Sequence, residues 1–144
     1  MGLDMYLNAK RYLWHSEDEL SKQISSAFPE LGERRVKEVT VEAIYWRKSN
    51  MIHAWFVKNC QEGVDDCGNY YVGREQLEEL RQLILEALDK KDATLLPPTA
   101  GFFFGSDKVD EWYWDDLRRT EADIVCALRD FDSKGWEFEY HSSW

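Results

Sequence analysis

The sequence predicts one compact α+β domain over residues 1–144: a mixed or antiparallel sheet of three to five strands with about four helices packed on it. Three observations point there. Leu3, Met5 and Leu7 alternate with Asp4, Tyr6 and Asn8, the period of a strand with one buried face. Between residues 74 and 89, Leu77, Leu80, Leu83, Ile84, Leu85 and Leu88 form the broad apolar face of a helix. Strict βαβ alternation with a glycine-rich first turn is missing, which argues against a doubly wound nucleotide-binding domain. A chain of 144 residues is one domain's length, enough to bury roughly 70% of the surface its unfolded form exposes.

The remaining elements follow in order. Ser16-Glu17-Asp18-Glu19 has the spacing of a capping box, so a helix is expected from about Glu17 to Ala27. Pro29 ends it, because the residue before proline avoids helical angles. From Val36 to Trp46, β-branched and aromatic residues dominate, which predicts a second strand ending near Arg47-Lys48. Ser49 or Asn50 then caps a helix to about Asn59, with Ile52, Trp55 and Phe56 on one face. Residues 62–69 are turn-like, and Tyr70-Tyr71-Val72 is a short strand. Ala93 to Ser106 is a loop stiffened by Pro97 and Pro98. Ser106 or Asp107 is placed to cap a long helix from about Val109 to Phe131. Trp136 to Tyr140 alternates as a last strand, expected to pair inside the sheet because the Trp144 that follows is costly to leave in water.

Composition sets limits on function. The net charge is -10, which argues against direct nucleic-acid binding, since neutralising phosphates takes clustered Lys and Arg. No apolar run approaches the roughly 18 residues that cross a bilayer. The opening residues lack a basic stretch leading into an apolar one, so no secretory leader is expected. Gly2 invites N-myristoylation, but Tyr6 stands where that signal needs Ser or Thr. Cys60, Cys67 and Cys126 are odd in number and match no metal spacing. Reduced thiols in a cytoplasmic protein are expected, with no metal and no cofactor.

Five features bear on chemistry. Trp46-Arg47-Lys48-Ser49-Asn50 puts two cations where a strand meets a helix N-terminus, an anion-binding arrangement unless Arg47 only pairs with a neighbouring acid. Phe102, Phe103 and Phe104 lie between Gly101 and Gly105. They either present rings to a planar ligand or plug the loop from beneath, and Ser106 beside them again suits an anion. Trp112, Tyr113 and Trp114 point about 100° apart on a helix, so at least one should line a groove or interface. Asp107, Asp110, Glu111, Asp115, Asp116, Glu121 and Asp123 crowd one stretch whose cations are Lys108, Arg118 and Arg119. This is either a solvated helix face or a negative field that imitates nucleic acid. His53 can meet Asp65 or Asp66 as an acid–base pair, but no protease, phosphatase, Walker A or EF-hand signature accompanies it.

Several blocks occur together: Met1-Gly2-Leu3-Asp4-Met5-Tyr6-Leu7, Tyr45-Trp46-Arg47-Lys48-Ser49-Asn50 with Ile52-His53 and Trp55-Phe56-Val57, and Asp66-Cys67 followed by Tyr70-Tyr71-Val72. The Gly101–Ser106 loop, Trp112-Tyr113 and Ser142-Ser143-Trp144 complete the set. In combination they resemble a family of small bacteriophage and prophage proteins of uncharacterised function. The resemblance implies a bacterial host cytoplasm and a phage accessory role, such as countering host defence. It carries over no catalytic residue.

The expected function is therefore binding without turnover of a small anionic, nucleotide-like ligand. Arg47, Lys48, Asn50, His53 and Ser106 would hold it, and Phe102, Phe103, Phe104 or Trp112 would stack on it. The alternative is an acidic inhibitor that occupies a basic cleft of a host protein. A small enzyme using His53 with a nearby Asp comes third. A homo-oligomer is compatible with all three.

Overall fold

Strand β1 (Asp4–Tyr12) lies second from one edge of a four-stranded antiparallel sheet and carries the longest pairings. A computed structural model describes residues 2–15, 17–101, 104–132 and 135–144. The element order continues through helix α1 (Glu19–Ala27), a 3-10 turn (Pro29–Leu31), β2 (Glu38–Arg47), α2 (Asn50–Cys60), β3 (Asn69–Val72), α3 (Arg74–Lys90), α4 (Glu111–Asp130) and β4 (Trp136–Ser143). The strand order is β2-β1-β4-β3, with every neighbouring pair antiparallel. The predicted α+β class is the observed one, and the last strand does pair inside the sheet, between β1 and β3.

Alternation decides the sheet's two faces. Met5, Leu7 and Ala9 of β1, Ile44 and Trp46 of β2, and Phe138 and Tyr140 of β4 are all buried. Against them pack Ile52 and Phe56 of α2, Leu77, Leu80 and Ile84 of α3, and Leu117 and Ile124 of α4, which join them in one apolar core. The phenyl ring of Phe56 stacks on Tyr140 with centroids 4.0 Å apart. The Trp46 indole N–H donates to Thr120 Oγ1 at 2.9 Å, so β2 and α4 share a satisfied polar link inside the core. The opposite sheet face carries Tyr6, Lys10, Tyr45 and Glu139, exposed or half-buried.

Differences from the sequence reading lie mainly at the caps. Ser16 falls outside the described residues, and Asp18 caps α1 by accepting from the Leu20 N–H at 2.9 Å. Ser49 occupies the cap position of α2, but its hydroxyl donates across to Asp116 and makes no cap bond. Helix α4 is capped by Asp110, which accepts from the Tyr113 N–H, rather than by Ser106 or Asp107. The Ser106 carbonyl is held by Asn50, and α4 starts at Glu111, two residues after the expected Val109. Strand β4 runs on to Ser143 because it pairs with β1 as far as Asp4.

A candidate anion cleft at the β2–α2 junction

Strand β2 must turn sharply into α2 after Arg47. Lys48 makes that turn with φ 58, a left-handed conformation uncommon for a residue with a Cβ. Its N–H still donates to the Leu3 carbonyl at 2.7 Å, which extends the β1–β2 ladder by one bond. The lysine stem then runs between two glycines. A Cβ built on Gly105 would stand 3.0 Å from Lys48 Cβ, and one built on Gly2 would stand 2.9 Å from Lys48 Cε. Gly105 itself has φ 84. A side chain at either glycine would push the lysine out of its track.

Asn50 holds the opposite wall in place. Its Nδ2 donates to the carbonyls of Phe104 and Ser106 at 3.0 and 2.9 Å. Its Oδ1 accepts from the Thr99 N–H at 2.9 Å. One buried amide thus pins both ends of the 99–106 loop to the start of α2. From there the chain enters α4, which presents Trp112, Asp116 and Arg119 at spacings of four and three residues, hence on one face.

These segments enclose a cleft of about 310 Å³. Tyr45, Arg47 and Lys48 line it from the sheet side, and Ser106, Lys108, Trp112 and Arg119 from the loop and α4 side. Asn50, Met51, Pro98, Tyr113 and the carboxylates of Asp110 and Asp116 complete the wall. Four cations therefore converge in a chain whose net charge is -10. Trp112 is 84% exposed, with no packing role that would account for so large an apolar ring. Tyr113, its neighbour, is buried, and its hydroxyl donates to the Leu96 carbonyl at 2.7 Å. Burial pushes that phenol up to about 12.

The charges differ in how they are used. Arg47 pairs with Asp4 at 3.0 Å, and Tyr45 donates to the same carboxylate at 2.6 Å. Arg119 pairs with Asp116 at 2.5 Å, whose second oxygen accepts from Ser49. Asp110 is spent on the α4 cap. Lys48 and Lys108 have no ion pair or side-chain hydrogen bond among the described residues.

Of the residues expected to hold a ligand, Arg47, Lys48, Asn50, Ser106 and Trp112 meet around this one cleft. Asn50 lines it, but its amide is committed to the loop. Phe104 turns away and packs edge-on against His53 with centroids 5.3 Å apart. Phe102 and Phe103 lie outside the described residues. His53 is 1% exposed and belongs to a separate group behind the loop. Its Nε2 lies 2.9 Å from Asp65 and its Nδ1 2.6 Å from the Tyr140 hydroxyl. In the tautomer with its proton on Nε2, the ring donates to the Asp65 carboxylate and accepts a hydrogen bond from the Tyr140 hydroxyl at Nδ1. Burial pushes the Tyr140 phenol well up, which keeps it a donor. Trp144 donates to the other Asp65 oxygen at 3.0 Å. The expected His53–Asp pairing thus exists with Asp65, while Asp66 serves a turn, accepting from Gly68 and Tyr70.

Sequence reasoning missed Lys108, Arg119, Asp116, Tyr45 and Met51 as wall residues. A signal for two of them was present: 112, 116 and 119 share a helical face, so a groove-lining Trp112 brings Asp116 and Arg119 with it. The acidic stretch is also less negative than it reads. Asp115, Asp116 and Glu121 are paired with Arg118, Arg119 and Arg81. No helix among the described residues is long and apolar enough to cross a membrane, and none of their acidic, histidine or cysteine clusters could hold a metal. Comparison with protein-family models, with curated proteins and with solved structures finds no match.

Proposed function

We propose that the cleft between the β2–α2 junction and α4 holds a small anionic, nucleotide-like ligand and releases it unchanged. The observation that carries this is the convergence of Arg47, Lys48, Lys108 and Arg119 beneath an exposed Trp112, in a cleft of about 310 Å³. That volume lies at the lower end of small-molecule sites, which span roughly 300–1,000 Å³. Guanidinium and ammonium groups supply charge-assisted bonds to phosphate or carboxylate oxygens. The indole supplies a stacking face worth about 1–3 kcal/mol to a planar base.

Binding without chemistry fits the wall's composition. No histidine or cysteine is among the described residues that line it. His53, paired with Asp65, is buried with both ring nitrogens engaged and so has no free lone pair to offer a substrate. Three of the seven acids of the 107–123 stretch are paired with arginines, which weakens the negative field that the protein-binding alternative draws on. Combined with the resemblance to small phage proteins, this makes the chain an accessory protein that sequesters a host metabolite or signal.

The test is direct. Purified protein is denatured, and the supernatant is read by mass spectrometry and absorbance for a released anion. Thermal shift is then measured against mono-, cyclic and dinucleotides. Saturation at about 100 times Kd adds about 2.7 kcal/mol, a shift of several degrees. A blank supernatant together with no shift across the panel would overturn the proposal.

A further inference from the structure

Met51 borders a second hollow as well as the cleft, where α2 and α3 meet the 95–97 segment. Trp55, Leu83, Leu95 and Leu96 form most of the rest of its wall, and it encloses about 260 Å³. These side chains belong to the apolar core or pack against it, so the hollow is space that the core leaves unfilled. An apolar cavity of roughly 150 Å³ already takes up benzene. Lys58 is the only charged side chain among the described residues of the wall, and it makes no ion pair or side-chain hydrogen bond among them. Glu62 and Asp65 line the adjoining cavity that Lys58 also borders. Glu62 makes no ion pair with it, and Asp65 is engaged by His53 and Trp144. Trp55 is 8% exposed, yet its indole N–H has no hydrogen-bond partner among the described residues, which is unusual for a buried indole. Asn59, the other polar residue of the wall, donates its amide to the Trp55 carbonyl. Met51, Trp55 and Lys58 are spaced by four and three residues and so share one face of α2.

We propose that this hollow is a second binding site, for a small monocarboxylate whose apolar body is an aromatic ring on a short chain. The ring fills the space beside Trp55 and the leucines. The carboxylate accepts from the Lys58 ammonium and from the Trp55 indole N–H, the two donors that the described wall leaves unused. An amine head would meet a cation and no carboxylate on that wall, and a neutral head would gain no charge-assisted bond. The hollow shares Met51 with the anion cleft but none of the cleft's four cations, so the two sites take different guests.

The experiment follows the tryptophan indole signals of the 15N-labelled full chain during titration with phenylbutyrate, phenylbutanol and phenylbutylamine. The Trp55 signal is expected to move furthest and saturate while Trp112 stays in place. The acid should bind at least about five-fold more tightly than the alcohol or the amine. Lys58 is exposed, so Lys58→Gln should fold normally and bring acid and alcohol to within about two-fold. Leu95→Phe fills part of the hollow and should weaken all binding there at an unchanged or raised melting temperature. If Leu95→Phe does not fold, the comparison of acid and alcohol in Lys58→Gln still decides. Equal affinity for acid and alcohol in the unaltered chain would overturn the proposal, as would an acid preference that survives Lys58→Gln. A Trp112 signal that moves in place of Trp55 would put the probe in the anion cleft and overturn it too, and so would no binding of phenylbutyrate. None of these outcomes touches nucleotide binding at the cleft, which stands or falls on its own titration.

Discussion

Two polar groups lie on either side of the 99–106 loop, both touching α2, and they are built in opposite ways. Behind the loop, His53, Asp65, Tyr140 and Trp144 satisfy one another, with His53 and Tyr140 almost fully enclosed. In front of it, the cleft leaves two ammonium groups and an indole facing solvent. The contrast separates structure from recognition more firmly than residue type does. A histidine beside an aspartate suggests catalysis when read along the chain, yet here it clasps β4 and the 62–66 turn to α2. Lys48 stands out along the chain only as a cation beside a helix start, and the structure adds that its stem runs between two glycines.

The largest expected effect breaks the buried side of that comparison. His53→Ala should cost about 3 kcal/mol in urea unfolding, because it leaves the Tyr140 hydroxyl and Asp65 short of a partner and opens a void under Phe104. A loss below about 0.5 kcal/mol would show that the clasp is dispensable. Asn50→Ala comes next, at about 2 kcal/mol, since three loop hydrogen bonds end on that amide. It should also weaken ligand binding by freeing the wall that carries Ser106 and Lys108. Unchanged binding in Asn50→Ala would separate the loop from the site.

Alkaline pH tests the buried phenols on both sides. In the unfolded chain they lose their protons near pH 10. Burial holds the proton of Tyr113 to about 12 and that of Tyr140 to a pH well above the ordinary value. The folded state therefore binds more protons across that window, and stability falls as pH rises through it. Urea midpoints between about pH 9 and about pH 11 should drop, and drop less steeply in Tyr113→Phe. A flat profile would mean that these phenols are not shielded.

The smallest effects on stability belong to the cleft. Trp112→Ala and Lys48→Gln should each change the unfolding free energy by less than about 0.5 kcal/mol, because neither side chain is buried or paired. Both should still weaken anion binding. Gly105→Ala is the sharper variant. It forces a Cβ into a left-handed position and against the Lys48 stem, costing about 1 kcal/mol and displacing the ammonium. Retained affinity in Gly105→Ala would show that the glycine track does not position Lys48.

The fold was legible where periodicity was strong. The alternation of Leu3, Met5 and Leu7 gave β1 its inner face, and the leucines of residues 77–88 gave α3. Caps were less legible because several polar residues compete for each one. Ser49 has the right identity for its position, but Asp116, sixty-seven residues later, takes its hydroxyl. The site was half legible for the same reason. Arg47, Lys48, Ser106 and Trp112 stand out by composition, and the structure gathers them. Which of them stay free for a guest depends on ion pairs such as Arg47–Asp4 across β1 and β2, and those follow from register rather than from local sequence. Asn50 and His53 could not be told from ligand residues until their partners were known.

The cleft itself is tested most directly by following the seven tryptophan indole N–H signals of the 15N-labelled chain during a titration with ADP. The Trp112 signal should move furthest and saturate, while those of Trp46, hydrogen-bonded to Thr120, and Trp14, exposed elsewhere on the surface, stay in place. A Trp112 signal that remains still while ADP binds would put the ligand somewhere else and contradict the account.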